Sequence, residues 1–361
     1  MRYLTYSKYM KERYGKKVYK LPVSLPVSCP NRESGFGRKS AADRMGCGKA
    51  DNMKCADHDE ADHMECDEIN GEFCKDPDLG ERRLSGCTFC GAKGAGFENL
   101  SEQLSVEEQL GKNMEYIGKR YGAESFAAYF QNFTNTYLPL EELDKYLEDA
   151  FRVPQIVEVC ISTRPDCVSD PYLSMIAEKC EKYAKRAVLE LGLQSISHRT
   201  LKKINRGHTL AEFIDAAVRC RGFGLEVCAH LILNLPWDDD SDAAEAAKIL
   251  TALGVSQVKL HSLYIEKNTE LCRQYERGEF QLISAEEYAR RVVLFLSYLS
   301  PGICVQRLVS RAPEEDTVFC NWGMSWWRVR DRIEEIMESE NISQGDRCNY
   351  LGRDYYFWNR R

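Results

Sequence analysis

The chain has 361 residues, 43% apolar and 29% charged, with a net charge of −7. That length and apolar content suffice for a large packed core and exclude global disorder. No window approaches the roughly 18 consecutive apolar residues of a membrane-spanning helix, so no membrane partner is expected. Residues 1–20 hold seven basic residues against Glu12 alone, interleaved with Tyr3, Tyr6, Tyr9, Tyr14 and Tyr19. One reading is an arm that meets phosphate with its charge and bases with its rings. The other is a solvated helix whose tyrosines face the core. The segment lacks the apolar stretch of a secretory signal, so the expected compartment is the cytoplasm, with the 16 cysteines reduced.

Further along, β-rich runs at 18–28, 125–132, 156–163, 187–194, 225–233 and 255–263 alternate with amphipathic stretches at 106–120, 140–151, 171–183, 210–222 and 243–253. Strands separated by such helices call for right-handed crossovers and a parallel sheet. The expected fold is α/β: a partial (β/α)6, TIM-like barrel with its chemistry at the C-terminal strand ends. Residues 1–265 form this core. An acidic, cysteine-bearing insertion at 35–86 follows the first strand, with eight Lys/Arg against thirteen Asp/Glu between Gly35 and Gly86. Residues 266–361 read as a C-terminal α+β extension, with a helix at 284–299, a short strand at 303–308, a tryptophan-rich turn and a last helix at 329–340.

The strongest local signal is Gly86-Cys87-Thr88-Phe89-Cys90-Gly91. A Cys-x-x-Cys pair brings two thiolates to one metal or cluster, and flanking glycines let the backbone wrap closely. Cys29, at the end of the first predicted strand, is the natural third ligand. Three thiolates can hold three irons of a cubane cluster and leave the fourth open to a small ligand. On these residues alone, an iron–sulfur cluster, a zinc site and a redox pair all remain open.

The wider pattern narrows the choice. Leu189 to Ser195 followed by Lys203-Ile204-Asn205-Arg206-Gly207-His208-Thr209 resembles the radical S-adenosylmethionine (SAM) superfamily, in the branch of the catalytic subunit of Elongator. Within it the chain is similar to the standalone bacterial Elongator-like proteins. Matching segments are Ser28-Cys29-Pro30-Asn31-Arg32, Phe130 to Tyr137, Ser162 to Cys167, Ala229 to Pro236, Val258-Lys259-Leu260-His261 and Gln306-Arg307-Leu308. One departure is plain: 57 residues separate Cys29 from Cys87. Loop-closure entropy grows only logarithmically with length, so Cys29 still reaches the site.

The resemblance implies a [4Fe-4S] cluster on Cys29, Cys87 and Cys90, with SAM chelating its open iron. It places Phe89 near the adenine and Gln131, Asn132, Thr134 and Asn135 near the methionine amino group. Glu190 and Gln194 fall toward the ribose or carboxylate, Arg206 toward the carboxylate, and Arg164 or His230 toward the substrate. It also implies an electron donor such as flavodoxin or ferredoxin and, as substrate, the C5 side chain of a tRNA wobble uridine. Rival readings are the same radical chemistry on a small molecule or tetrapyrrole, and a zinc-stabilised RNA-binding protein without catalysis.

Within the insertion, Cys47, Cys55, Cys66 and Cys74, with His58 and His63 between them, form a candidate zinc-stapled lobe. The scattered cysteines Cys160, Cys167, Cys180, Cys220, Cys228, Cys272, Cys304, Cys320 and Cys348 read mostly as small buried hydrophobes. Trp322, Trp326, Trp327 and Trp358 either pack the extension onto the barrel or, with Arg328, Arg330 and Arg332, face RNA. Lys182, Lys185, Arg186, Arg199, Lys202, Lys203 and Arg206 form a basic concentration around the fourth strand.

Overall fold

The computed structural model describes residues 1–33, 86–91, 94 and 99–348. The candidate zinc ligands of the insertion and Trp358 therefore lie outside the described residues. The strands are β1 (Tyr19–Val23), β2 (Phe126–Phe130), β3 (Ile156–Thr163), β4 (Arg186–Gln194), β5 (Glu226–Ile232), β6 (Gln257–His261), β7 (Tyr264–Glu266), β8 (Cys304–Val305) and β9 (Thr317–Cys320). Seven of them pair in the order β1-β2-β3-β4-β5-β6-β8, every pair parallel, while β7 and β9 form a separate antiparallel ribbon. Sequential order with covering helices curls the sheet into a half-barrel, the architecture expected from the alternating pattern.

The sheet has one strand more than the six expected. Residues beyond 265 supply β8, whose Cys304 and Val305 pair with Gln257 and Val258. Two paired residues carry no periodicity, so the sequence could not reveal that this segment joins the sheet. Leu4 is tied in too: its carbonyl accepts from the Val305 amide at 2.8 Å.

Local chemistry sets the helix ends. Capping boxes at Ser105/Glu108, Thr209/Glu212 and Ser284/Glu287 start the helices Val106–Tyr121, Leu210–Gly222 and Ala285–Tyr298. The strands are buried on both faces, as in covered parallel sheets. Ile161, Leu189, Leu191, Leu231, Val258 and Leu260 belong to the main core. The alternate residues Ala127, Tyr129, Cys160, Val188 and Cys228 form a second cluster inside the curl.

That inner cluster is closed from below by the helix Tyr6–Tyr14, which settles the two readings of the N-terminal arm in favour of packing. Met10 is fully buried in it, with Tyr6, Tyr9 and Tyr14 packed alongside. The Tyr9 hydroxyl donates to Glu226 at 3.2 Å, the Tyr14 hydroxyl to Glu158 at 3.2 Å, and Arg13 pairs with Glu226 at 2.7 Å. Glu226 opens β5 and Glu158 lies early in β3, so this helix sits at the N-terminal strand ends. Its rings are committed to packing, and its lysines Lys8 and Lys11, like Lys16 and Lys17 just after it, are exposed.

The tryptophans divide. Trp322 donates from Nε1 to the Ile283 carbonyl at 2.7 Å and packs on Tyr288, whereas Trp327 is largely exposed. Cys160, Cys220, Cys228, Cys272 and Cys304 are buried, as expected of small hydrophobes, while Cys167, Cys180, Cys320 and Cys348 are half-buried.

Because Met10 fills the bottom of the barrel, Met10→Ala is expected to cost about 2–5 kcal/mol through lost burial and the cavity left behind. Lys11→Ala, on the solvated face, should stay within about 0.5 kcal/mol of the parent. Urea unfolding of the two variants beside the parent chain measures both.

Candidate active site

At the C-terminal strand ends the half-barrel opens into a cavity of about 170 Å³, continuous with solvent. Cys29, Cys87, Phe89 and Cys90 line it from the loops. Gln131, Thr134, Ser162, Thr163 and Arg164 line it after and along β2 and β3, as do Glu190, Gly192 and Gln194 of β4. The opposite wall carries His230, Lys259, His261, Arg307 and Ser310. The three cysteines singled out in the sequence thus share one cavity, despite the separation of Cys29 from Cys87.

Cys29 and Cys87 are buried and Cys90 is exposed. Arg206 Nη1 lies 3.7 Å from the Cys87 sulfur and Asn31 Nδ2 lies 3.6 Å from it, while Arg164 Nη1 lies 3.8 Å from the Cys29 sulfur. The Cys87 thiol is pulled down to about 5, first by the hydrogen bond from the Cys90 thiol and then, against its burial, by the charges of Arg206 and Arg164. Cys90, the donor in that bond, is pushed up. Thiolates surrounded by guanidinium and amide donors suit an anionic iron–sulfur cluster, whose potential such contacts tune. A single zinc ion draws its ligands closer. Among the described residues, the set whose ligand atoms all fall within 4.8 Å of one another is instead Glu190, Cys228 and His230.

Backbone geometry holds this wall in place. The β4–β5 register shifts between Gly192 and Gln194, and Gln194 adopts a left-handed φ of +72°. That bulge turns the strand end into the cavity. A Cβ on Gly192 would stand 2.6 Å from Arg206 Nη2, which donates to the Gly192 carbonyl at 2.7 Å. A Cβ on Gly91 would stand 1.7 Å from Glu266 Oε1, so only glycine lets the loop after Cys90 lie against that carboxylate.

The structure sorts the other expected site residues. Phe89 lines the cavity and packs on the cluster of Leu201, Ile204 and Leu263. Gln131, Thr134, Gln194 and Arg206 line it too, as does Glu190. Asn135 instead donates to the carbonyls of Phe130, Asn132 and Ser162 at 3.1, 3.0 and 2.8 Å. Asn132 donates to Ser24 Oγ at 2.8 Å. Both amides shape the loop rather than face the cavity.

Glu190 is the centre of a buried charge cluster. Its carboxylate pairs with Lys20, with Lys259 at 3.2 Å and with His230 Nε2 at 2.8 Å, and accepts from Gln306 at 3.2 Å. Burial opposes its charge, yet Lys20 and Lys259 outweigh that and hold the carboxyl well below the usual range. His230 is pushed down to about 4 by burial and the Lys259 charge, so it is neutral near pH 7 and donates from Nε2. Lys259, lowered to about 8 by burial, also donates to the Tyr129 hydroxyl at 2.7 Å. Sequence reasoning missed Lys20, Tyr129, Lys259 and Arg307 as site residues. The available signal was a lysine at alternating, inward positions of otherwise apolar strands.

The basic concentration around β4 divides between the two ends of the barrel. Lys182 pairs with Glu148 at 2.7 Å, Arg186 pairs with Glu226 at 2.9 Å, and Lys185 donates to the Phe151 and Val153 carbonyls at 2.7 and 2.6 Å. Arg199, Lys202 and Lys203 instead stand exposed at the cavity end, on the short helix His198–Lys203, and make no ion pair among the described residues. Lys203 Nζ lies 4.8 Å from the centre of the Trp237 ring.

Comparison with known proteins agrees with this geometry. The family model described as the Radical SAM superfamily matches residues 84–250, and that described as the Radical_SAM C-terminal domain matches 255–339. An uncharacterized protein of Methanocaldococcus jannaschii is 30% identical over 95% of this chain and 91% of its own length. A tRNA uridine(34) acetyltransferase of Methanocaldococcus infernus is 27% identical over 60% of this chain and 40% of its own. The solved structure of the Methanocaldococcus infernus Elp3 with an N-terminal deletion superposes with a TM-score of 0.57 at 20% identity, over 66% of this chain and 60% of that one.

Glu190→Gln would leave Lys20 and Lys259 buried without a counter-charge, and is expected to destabilise by about 3–5 kcal/mol. The acid form of Glu190 is disfavoured in the folded chain, so its stabilisation is present at neutral pH. That stabilisation is lost as pH falls below the ordinary carboxylate range, through its lower folded value. Urea unfolding between pH 7 and pH 3 should therefore show a steeper loss for the parent than for Glu190→Gln.

Proposed function

We propose that this chain, which belongs to the radical SAM superfamily, cleaves SAM reductively beside Cys29, Cys87 and Cys90 and directs the chemistry at the C5 side chain of a tRNA wobble uridine. The observation that carries the first half is the meeting of three thiols, ringed by Arg164, Arg206 and Asn31, at the mouth of one cavity at the strand ends. When bound, the family's [4Fe-4S] cluster and SAM supply one-electron cleavage of the sulfonium and a 5′-deoxyadenosyl radical. The protein's part is to hold the sulfurs, orient the cofactor and shield the reacting atoms. Phe89 offers an apolar face for the adenine. Arg206 offers a guanidinium to the cofactor's carboxylate, and Gln131, Thr134 and Gln194 offer polar edges on the same wall.

For the tRNA half, the relative that acts on tRNA uridine(34) supplies the class of substrate. The exposed turn of Arg199, Lys202 and Lys203 supplies the surface. Unpaired cations beside a cavity mouth meet phosphate and release counterions, and Trp237 under Lys203 offers a ring for stacking. An electron donor such as flavodoxin or ferredoxin belongs to the same proposal, as does zinc on the insertion's cysteines.

Anaerobically reconstituted parent protein should hold iron and sulfide and release 5′-deoxyadenosine when given SAM and dithionite, and Cys87→Ala should do neither. Zinc content of both reports on the insertion. Zinc without iron in the parent would count against the radical chemistry and favour a non-catalytic RNA-binding role.

The double variant Lys202→Glu/Lys203→Glu should bind tRNA about tenfold or more weakly and with a shallower salt dependence. Lys8→Ala/Lys11→Ala, at the other end of the barrel, should bind as the parent does. Filter binding of unfractionated tRNA across a salt series separates the two.

A further inference from the structure

Arg307, on the cavity wall, has no carboxylate partner among the described residues. Arg307 follows β8 and faces the cavity opposite the cysteines. Its Nη2 donates to neutral His261 at 2.7 Å, but its buried Nε–H has no partner, and it forms no ion pair among the described residues. Three residues on, Ser310 lines the same wall, fully buried, and its Oγ is likewise without a partner. The Ser310 backbone is pinned from both sides: its amide donates to Ser262 Oγ at 3.0 Å and its carbonyl accepts from Asn321 Nδ2 at 3.0 Å. The hydroxyl is thus fixed in place and left unused. Buried donors without partners are costly, and native proteins leave few of them.

The charges around Arg307 do not supply what it lacks. Tyr129, Tyr264 and Tyr288 stay protonated, and His230 and His261 are neutral near pH 7. Glu190 already answers to Lys20 and Lys259. Burial works against the Arg307 charge, as expected of a guanidinium short of an anion. The geometry points to Arg307 and Ser310 as the receptor for a carboxylate carried by the molecule that enters the cavity. A guanidinium edge matches the planar carboxylate group. One unpaired guanidinium matches one negative charge, whereas a phosphate brings more.

Two guanidinium sites therefore face one cavity. Arg206, beside the Cys87 sulfur, lies just past the short helix His198–Lys203 that follows β4, and Arg307 follows β8. Arg206 serves the cysteine side, and Arg307 serves the far end, where a second molecule would lie. This inference rests on the proposed function only in making that second molecule the substrate; read with it, the uridine side chain would end in an acid.

The test uses the reconstituted holoprotein and neutral-for-acid probe pairs: 5-carboxymethyluridine against its methyl ester, and acetate against acetamide. Affinity is read by competition and equilibrium dialysis, with radiolabelled SAM dialysed in parallel. The parent should prefer the acid of each pair about ten- to a hundredfold. Arg307→Gln should lose that preference while binding SAM as the parent does, and Arg307→Lys and Ser310→Ala should each retain part of it. Should Arg307→Gln fail to fold, the latter two variants carry the comparison. Preference for acetate but not for the uridine acid, abolished in Arg307→Gln, keeps the carboxylate site and removes the wobble-uridine reading. If the parent cleaves SAM yet prefers neither acid, the site is refuted while the radical chemistry stands. A drop in SAM affinity in Arg307→Gln with the acid preference intact would assign Arg307 to the cofactor and overturn the inference.

Discussion

A single carboxylate inside a curled sheet organises much of this molecule. Glu190 is fully buried on β4, and Lys20 on β1, His230 on β5 and Lys259 on β6 all converge on it. Charges cannot remain in a barrel interior without partners, so these side chains fix where the strands stand relative to one another. Gln306, just past β8, joins through the same carboxylate and draws the seventh strand into the set. Below this layer the space is small and apolar, and the N-terminal helix fills it. Above it, the interior is polar and open.

That layering separates stability from chemistry. The lower end is closed by Met10 and by the tyrosine and arginine contacts to Glu158 and Glu226. The upper end keeps donors that the fold itself leaves unsatisfied, at Arg307 and Ser310, and thiols whose sulfurs face guanidinium groups. The left-handed Gln194 sits there too, as do the two glycines whose missing side chains let Arg206 and Glu266 approach closely. A half-barrel of this kind offers one end for closure and the other for loops that carry cofactor and substrate.

The charge distribution follows the same division. At the lower end Lys182, Lys185 and Arg186 are paired or bonded to carbonyls, while Lys8, Lys11, Lys16 and Lys17 face solvent. Those on the helix His198–Lys203 are exposed and without ion pairs among the described residues, beside the cavity mouth. A negative net charge therefore says little about a nucleic-acid partner, because local potential at the mouth governs encounter.

The alternation of short apolar strands with amphipathic helices was sufficient for the parallel half-barrel. The Cys-x-x-Cys with Cys29 at a strand end was sufficient to gather the thiols, because strand periodicity and strand ends are local properties of the chain. Gln131, Thr134 and Gln194, expected at the ends of strands, line the cavity with Phe89 and Arg206. Other features depended on distant segments. Whether the tyrosines of the first helix stack on bases or pack inward was decided by the space beneath Cys160, Val188 and Cys228. The place of β8 was decided by its pairing with β6. Glu190 became a structural counter-ion because strands far apart in sequence deliver Lys20 and Lys259 to it. Arg307 forms no ion pair among the described residues, because its neighbours from β6 and the following turn are neutral or already engaged. Sequence fixes which groups a strand presents, but burial and charge pairing are sums over neighbours that exist only after the sheet has curled.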